Sequence, residues 1–169
     1  VLGAGYADIR KGFDLFLQLW RTSQHQAHFV WLGGMDTNLK DGLRSELDVA
    51  LKSGNFHLPG HVRNMSDWLS AADVFVLTSR EDPYPSVTLE AVGAGLPCIT
   101  FKDNGGIPDF LETLNSEGSL KHSIVPFGDV NAIAEKRFRT WEQIEKTIIS
   151  STQKNCTKNA AQDSFQTLR

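Results

Sequence analysis

Two carboxylates, Asp82 and Glu90, stand eight residues apart in TSREDPYPSVTLEAVGAGLPCITFKDNGGIPDFL, residues 78–111. Pro83 and Pro85 lie between them and forbid a helix there, because proline lacks an N–H and restricts the residue before it. Asp82 therefore belongs to an extended loop after a strand, and Glu90 to the first turns of the following helix. So placed, both can face one crevice. A carboxylate that accepts from two vicinal hydroxyls suits a hydroxyl-rich ligand, and the loop's backbone N–H groups are free for phosphate or sugar oxygens. Glu90 has a blander reading as well: an acid near a helix N-terminus is favoured by the macrodipole alone.

A second candidate is the opening stretch VLGAGYADIRKG, residues 1–12. Gly3 and Gly5 begin a dinucleotide fingerprint, but Asp8 stands where Gly-x-Gly-x-x-Gly needs its third glycine. The turn instead delivers Arg10 and Lys11 to the start of a helix. A helix N-terminus attracts anions through unpaired N–H groups, and two cations there suit a pyrophosphate better than they suit the helix itself. Read without a ligand, they are solvated surface cations.

The elements that must carry these residues alternate. Val1 to Gly5 reads as a strand, and Lys11 to Thr22 as a helix burying Phe13, Phe16, Leu17 and Trp20 at i, i+3, i+4 and i+7. HFVWLGG is a buried strand, Leu39 to Lys52 a helix, and FHLPGHV a strand broken by Pro59-Gly60. Ser66 is expected to cap a short helix over DWLSAA, and DVFVLT is the next strand. Ser86 is expected to cap a helix over VTLEAVGA, closed by Gly95. CITF is a strand, GGIPDFL a loop into a helical turn, SIVPF a last strand, and the remainder from Val130 polar and helical. Strands alternating with helices imply an α/β, doubly wound, Rossmann-like parallel sheet. Ligands then sit beyond the carboxyl ends of the strands.

The 169 residues suit a single domain, residues 1–169, with one sizeable core. A net charge of −3 without a run of five like charges argues against nucleic acid or an anionic membrane surface as partner. No apolar stretch has transmembrane length. Two cysteines, Cys98 and Cys156, fit a reducing, cytoplasmic compartment better than a disulfide framework. His25, His28, His57, His61 and His122 read as surface or capping residues, and no His/Asp/Glu group has metal-ligand spacing.

The blocks DPYPSVTLEAVGAGLP and GGIPD together resemble the C-terminal domain of retaining, GT-B-fold glycosyltransferases of the group 1 family (glycosyltransferase family four). That family carries Glu, seven residues, Glu, then Ala-small-small-x-Gly-x-Pro and Gly-Gly-x-x-Glu. The resemblance continues through RKGFDLFL, FHLPGHV, DWLSAADVFVLTSRED and IVPFGDVNAIA, and spans roughly residues 1–135. It implies that Arg10 and Lys11 grip the donor pyrophosphate, with Glu90 accepting from the ribose hydroxyls. It implies that Asp82 contacts the transferred sugar, while the backbone of Tyr84, Pro85, Ser86 and Val87 approaches sugar and phosphate. Val62 and Arg63 fall where the family's backbone meets the nucleobase.

The chain departs from the pattern in three places: Asp82 replaces Glu, Pro85 replaces a glycine, and Asp109 replaces the Glu of the Gly-Gly motif. The resemblance implies metal-independent transfer of a hexosyl group from a UDP- or GDP-sugar to an acceptor glycan or lipid-linked sugar, with retention of configuration and no cofactor. Val1 already lies within a strand, so the acceptor domain is expected ahead of it, and residues 1–169 alone are expected to be inactive. The longer enzyme is expected to be cytoplasmic or membrane-peripheral. The rivals are a catalytically inactive nucleotide-sugar-binding or protein-interaction module and a GT-B nucleotide-sugar epimerase. A receiver-type signalling module would need an acidic pair after its first strand and a phosphorylatable Asp after its third, and GAGYADI and HLPGHV supply neither.

Overall fold

A computed structural model of the chain describes residues 1–23, 27–117 and 122–136. The chain divides into two units, Val1–Arg137 and Phe138–Arg169, where the sequence reads as one domain. The second unit lies outside the described residues, as do His25 and Cys156; of the helical remainder expected from Val130, residues 130–136 are described and are helical, and the rest lies outside.

Among the described residues, six short strands form one parallel sheet: β1 (Leu2–Ala4), β2 (Phe29–Leu32), β3 (Phe56–Gly60), β4 (Phe75–Leu77), β5 (Cys98–Phe101) and β6 (Ser123–Val125). Their order is β3-β2-β1-β4-β5-β6, with β1 paired to β2 on one side and β4 on the other. Parallel strands need crossovers, and helices supply them: α1 (Phe13–Ser23), α2 (Thr37–Gly42), α3 (Arg44–Lys52), α4 (Met65–Ala71), α5 (Ser86–Gly93) and α6 (Ile107–Glu117). The inner strands β1, β2, β4 and β5 are buried on both faces because helices cover both. In β2, Phe29 and Trp31 join the core beneath α1 and α3, while Val30 and Leu32 turn to the core beneath α4, α5 and α6. Rings of Phe13, Phe16, Trp20, Phe29, Trp31 and Phe56 pack edge-on or tilted at centroid separations of 5.1–6.4 Å.

Four local expectations are corrected. The helix expected over Leu39–Lys52 is two, α2 and α3, with a jog at Leu43 (φ −101°, ψ 10°) after Gly42. Glycine is a poor helix interior residue, and Asp36 starts α2 by accepting from the Leu39 N–H at 2.9 Å. Strand β3 is not broken by Pro59-Gly60 but runs through them. It lies at the sheet edge, where a missing donor is tolerated, and absorbs an extra residue between the Val30–His57 and Leu32–Gly60 pairs. Neither Ser66 nor Ser86 caps: Asn64 and Pro85 hold those positions, without side-chain cap bonds. The turn expected over GGIPDFL grows into the eleven-residue α6, with Pro108 in the first turn, where no N–H is needed.

The end of α5 follows the expectation. Gly95 (φ 81°) donates to Val92 O and Leu96 donates to Ala91 O, the paired bonds of a left-handed C-cap.

His122 corrects the surface reading of the histidines. It is buried, its Nδ1 accepts from the Cys98 N–H at 3.1 Å, and burial pushes its pKa below 6.5. The unfolded chain therefore binds the His122 proton more readily, and stability falls as pH drops through about 6.5. His122→Asn keeps an acceptor for Cys98 without the titration. We expect the parent to lose more melting temperature than this variant between about pH 7.5 and about pH 5. Parallel losses would show that His122 does not carry the acid sensitivity. Burial also pushes the Cys98 thiol up to about 12.

Candidate functional site

The strand order reverses at β1. After β3, the chain crosses back over β2 and β1 through α4 to lay down β4. The loops leaving the carboxyl ends of β1 and β4 therefore diverge from a common crevice, the place where doubly wound sheets bind ligands.

After β1 the chain keeps pairing: Gly5 N–H donates to Leu32 O, Ala7 N–H to Gly34 O, and Asp36 N–H to Ala7 O. Asp8, the residue that spoils the dinucleotide fingerprint, has a job of its own. Its carboxylate accepts from the Lys11 N–H at 2.6 Å and its carbonyl from the Phe13 N–H at 3.3 Å. It thereby folds residues 9–12 into a turn ahead of α1. Gly12 (φ 68°) lets that turn meet β4, since a Cβ built on it would lie 1.9 Å from the Thr78 carbonyl oxygen.

That contact brings the two halves of the candidate site together. Lys11 Nζ pairs with Asp82 Oδ2, which also accepts from Ser79 Oγ at 3.2 Å. The Asp82 N–H donates to Asn104 O at 2.7 Å. Arg10 is exposed beside them, its Nη1 donating to Glu81 O at 3.1 Å. Arg80 grips Asp14 with both Nη atoms, each at 2.7 Å. Those hydrogen bonds push the guanidinium's pKa up, against a smaller lowering by burial.

Asp82 was expected to face the crevice beside Glu90; it is buried, at 6% exposure, against Lys11. Glu90 is exposed on α5, and its carboxylate makes no ion pair or hydrogen bond among the described residues. Tyr84 is half exposed, its ring lying over Gly106 and 6.2 Å from that of Phe110. Pro85 is buried at the start of α5, Ser86 is exposed, and Val87 packs partly into the core. Val62 packs against the same core from the β3–α4 loop, with Arg63 exposed beside it. No hydrogen bond or ion pair joins Val62, Arg63 or Glu90 to the Lys11–Asp82 pair among the described residues.

Sequence reasoning missed Gly12, Ser79, Arg80 and Asn104. Asn104 is buried, its Nδ2 donating to Ser79 O at 3.2 Å and Thr100 Oγ1 at 3.0 Å. The Gly-Gly motif that follows is there for close approach. A Cβ on Gly105 would lie 1.9 Å from Asp82 O, and Gly106 N–H donates to Pro83 O at 2.9 Å. Asp109 lies exposed in the first turn of α6. His28 and His57 are hydrogen-bonded through Nδ1 and Nε2 at 3.1 Å with near-parallel rings, and His61 is exposed.

Fold and crevice define a Rossmann-like α/β domain, and its solved structural neighbours are GT-B glycosyltransferases. The sequence matches the family described as glycosyl transferases group 1 over residues 1–143, and the chain belongs to that family. It is 31% identical over 103 residues to an alpha-galactosylglucosyldiacylglycerol synthase of Streptococcus pneumoniae, covering 59% of this chain and 27% of that protein. Among solved structures it resembles Anabaena Alr3699/HepE, crystallised with UDP and glucose. The TM-score is 0.70 at 18% identity, over 86% of this chain and 39% of that one. It also resembles the C-terminal domain of the group 1 family protein LpcC from Francisella tularensis. There the TM-score is 0.68 at 17% identity, over 83% of this chain and 74% of that one. The chain spans roughly a third of the length of the curated relatives it matches. Among the described residues, no helix is long and apolar enough to cross a membrane.

Proposed function

We propose that this chain is the donor-binding, C-terminal half of a retaining hexosyltransferase that takes a UDP- or GDP-sugar and serves glycan or glycolipid synthesis. The observation that carries the reading is Lys11 paired with Asp82 at the carboxyl edge of β1 and β4 in a chain of this family. Arg10 and Lys11 would meet the pyrophosphate, and Glu90, exposed on α5, the ribose hydroxyls. Val62 and Arg63 would meet the base, and the backbone of Tyr84 to Val87 the sugar and phosphate. Asp82 takes a double part: it orients Lys11 and presents its second oxygen to a sugar hydroxyl.

Transfer leaves negative charge on the departing diphosphate. Fixed cations stabilise such charge without reorganising during the reaction. In this reading Arg10 and Lys11 supply that field without a metal. The acceptor would be held by a further domain. The similarity to the isolated LpcC C-terminal domain and to a UDP- and glucose-bound structure supports these assignments.

Calorimetry of the chain tests the reading. UDP or GDP should bind, the matching nucleoside should bind more weakly, and NAD should not bind measurably. NAD binding tighter than both diphosphates would overturn it, as would a failure to bind either one.

A further inference from the structure

The turn over residues 9–12 carries both proposed phosphate-binding cations yet belongs to no strand or helix. Its carbonyls show what holds it. Ile9 O accepts from Arg80 Nη1 at 2.6 Å, Arg10 O from the Arg80 backbone N–H at 2.8 Å, and Lys11 O from Thr78 Oγ1 at 3.3 Å. One residue, Arg80, thus supplies two of these three anchors. The same guanidinium holds both oxygens of Asp14 in the first turn of α1 at 2.7 Å. A single planar group therefore spans the turn and the helix behind it.

Arg80 is poorly placed to bind a ligand itself. Nη1 is shared between Asp14 and Ile9 O, Nη2 is on Asp14, and the side chain is only 32% accessible. Asp14 also neutralises it, so it adds little repulsion to Arg10 and Lys11. The contact is reciprocal, because Arg10 donates back to Glu81 O at 3.1 Å.

We infer that Arg80, locked by Asp14, is a positioning residue that fixes the Arg10–Lys11 turn for a diphosphate. This rests on the functional reading above. A fixed pair of cations matches two linked phosphates, whereas a loosened pair can still follow one. The clamp therefore sets preference for the diphosphate over the monophosphate and leaves the nucleoside untouched. Lysine cannot replace Arg80, because a point charge does not reproduce a fork that holds a carboxylate and a carbonyl together.

The test compares the chain with Arg80→Lys, Arg80→Met and Asp14→Asn, using UDP, UMP and uridine or the guanosine series, whichever the parent binds. Each variant should lose roughly tenfold in diphosphate affinity, the scale of one charged hydrogen bond. Monophosphate affinity should fall less, and nucleoside affinity should hold. Amide exchange at Lys11 and Gly12 should quicken in all three variants, and Arg80→Lys should fail to rescue Arg80→Met. Equal losses for diphosphate and nucleoside would reduce Arg80 to a merely structural role and overturn the inference. So would Arg80→Lys behaving as the parent in both binding and exchange. A parent that binds neither UDP nor GDP sinks the functional reading together with this inference; a parent that binds, with variants that match it, sinks this inference alone.

Discussion

Lys11→Met should lower the stability of the chain by about 3 kcal/mol, and adding Asp82→Asn should restore most of that loss but none of the nucleotide binding. The Lys11 and Asp82 side chains are only 16% and 8% accessible, so neither charge is well hydrated. With Lys11 gone, the Asp82 carboxylate keeps, among the described residues, only the Ser79 hydroxyl at 3.2 Å, too little for a buried anion. The asparagine carries no charge to strand, and its amide can still accept from Ser79. Stability and binding therefore part company in the double variant, which isolates the ligand-binding role of Lys11 from its folding role. Denaturant melts with UDP and GDP titrations on the parent, both single variants and the double variant make the comparison. A Lys11→Met protein as stable as the parent would mean that the pair is open to water. A double variant that still binds diphosphate at parental strength would move the phosphates away from Lys11.

Gly12→Ala should be nearly as damaging, and for a reason that involves no charge. The residue sits at φ 68°, where an L side chain is strained by roughly 1–2 kcal/mol. Its Cβ would also lie 1.9 Å from the Thr78 carbonyl oxygen, which is backbone and cannot swing aside. Forcing the turn and β4 apart adds about 1–3 kcal/mol, the usual range for overpacking. Gly54→Ala is the control, because Gly54 has φ 80° but nothing within 4 Å of the added methyl. We expect Gly12→Ala to melt roughly 6–12 °C below the parent and Gly54→Ala to fall by about a third as much. Equal shifts would mean that backbone strain explains both. The close approach would then be soft.

Much of this was legible in advance because it is local or periodic. The apolar runs gave the strands, and the spacing of Phe13, Phe16, Leu17 and Trp20 gave α1. The two prolines put Asp82 on a loop. What escaped is what depends on pairing across the chain. Nothing near Asp82 tells that its carboxylate meets a lysine 71 positions earlier, and nothing near Arg80 points to Asp14, 66 positions back. The strand through Pro59-Gly60 was missed for a similar reason. Those residues break strands in general, and only β3's position at the sheet edge excuses them here. Asp8 stands where a dinucleotide motif needs its third glycine, and its positive use, accepting the Lys11 N–H, is visible only once the turn is seen.

The strand order also governs how the chain can be assembled during synthesis. Because β1 takes β2 on one side and waits for β4 on the other, the first three strands can pair once residue 60 has emerged. That half-sheet leaves one side of β1 unpaired, with its hydrogen-bonding groups and apolar side chains uncovered, until Phe75 arrives opposite Leu2. In the finished domain β1 is interior, so it has none of the proline or bulge that guard β3 at the outer margin. A nascent chain with β3 emerged and β4 still to come would thus present an interior strand that carries no protection against recruiting a neighbour.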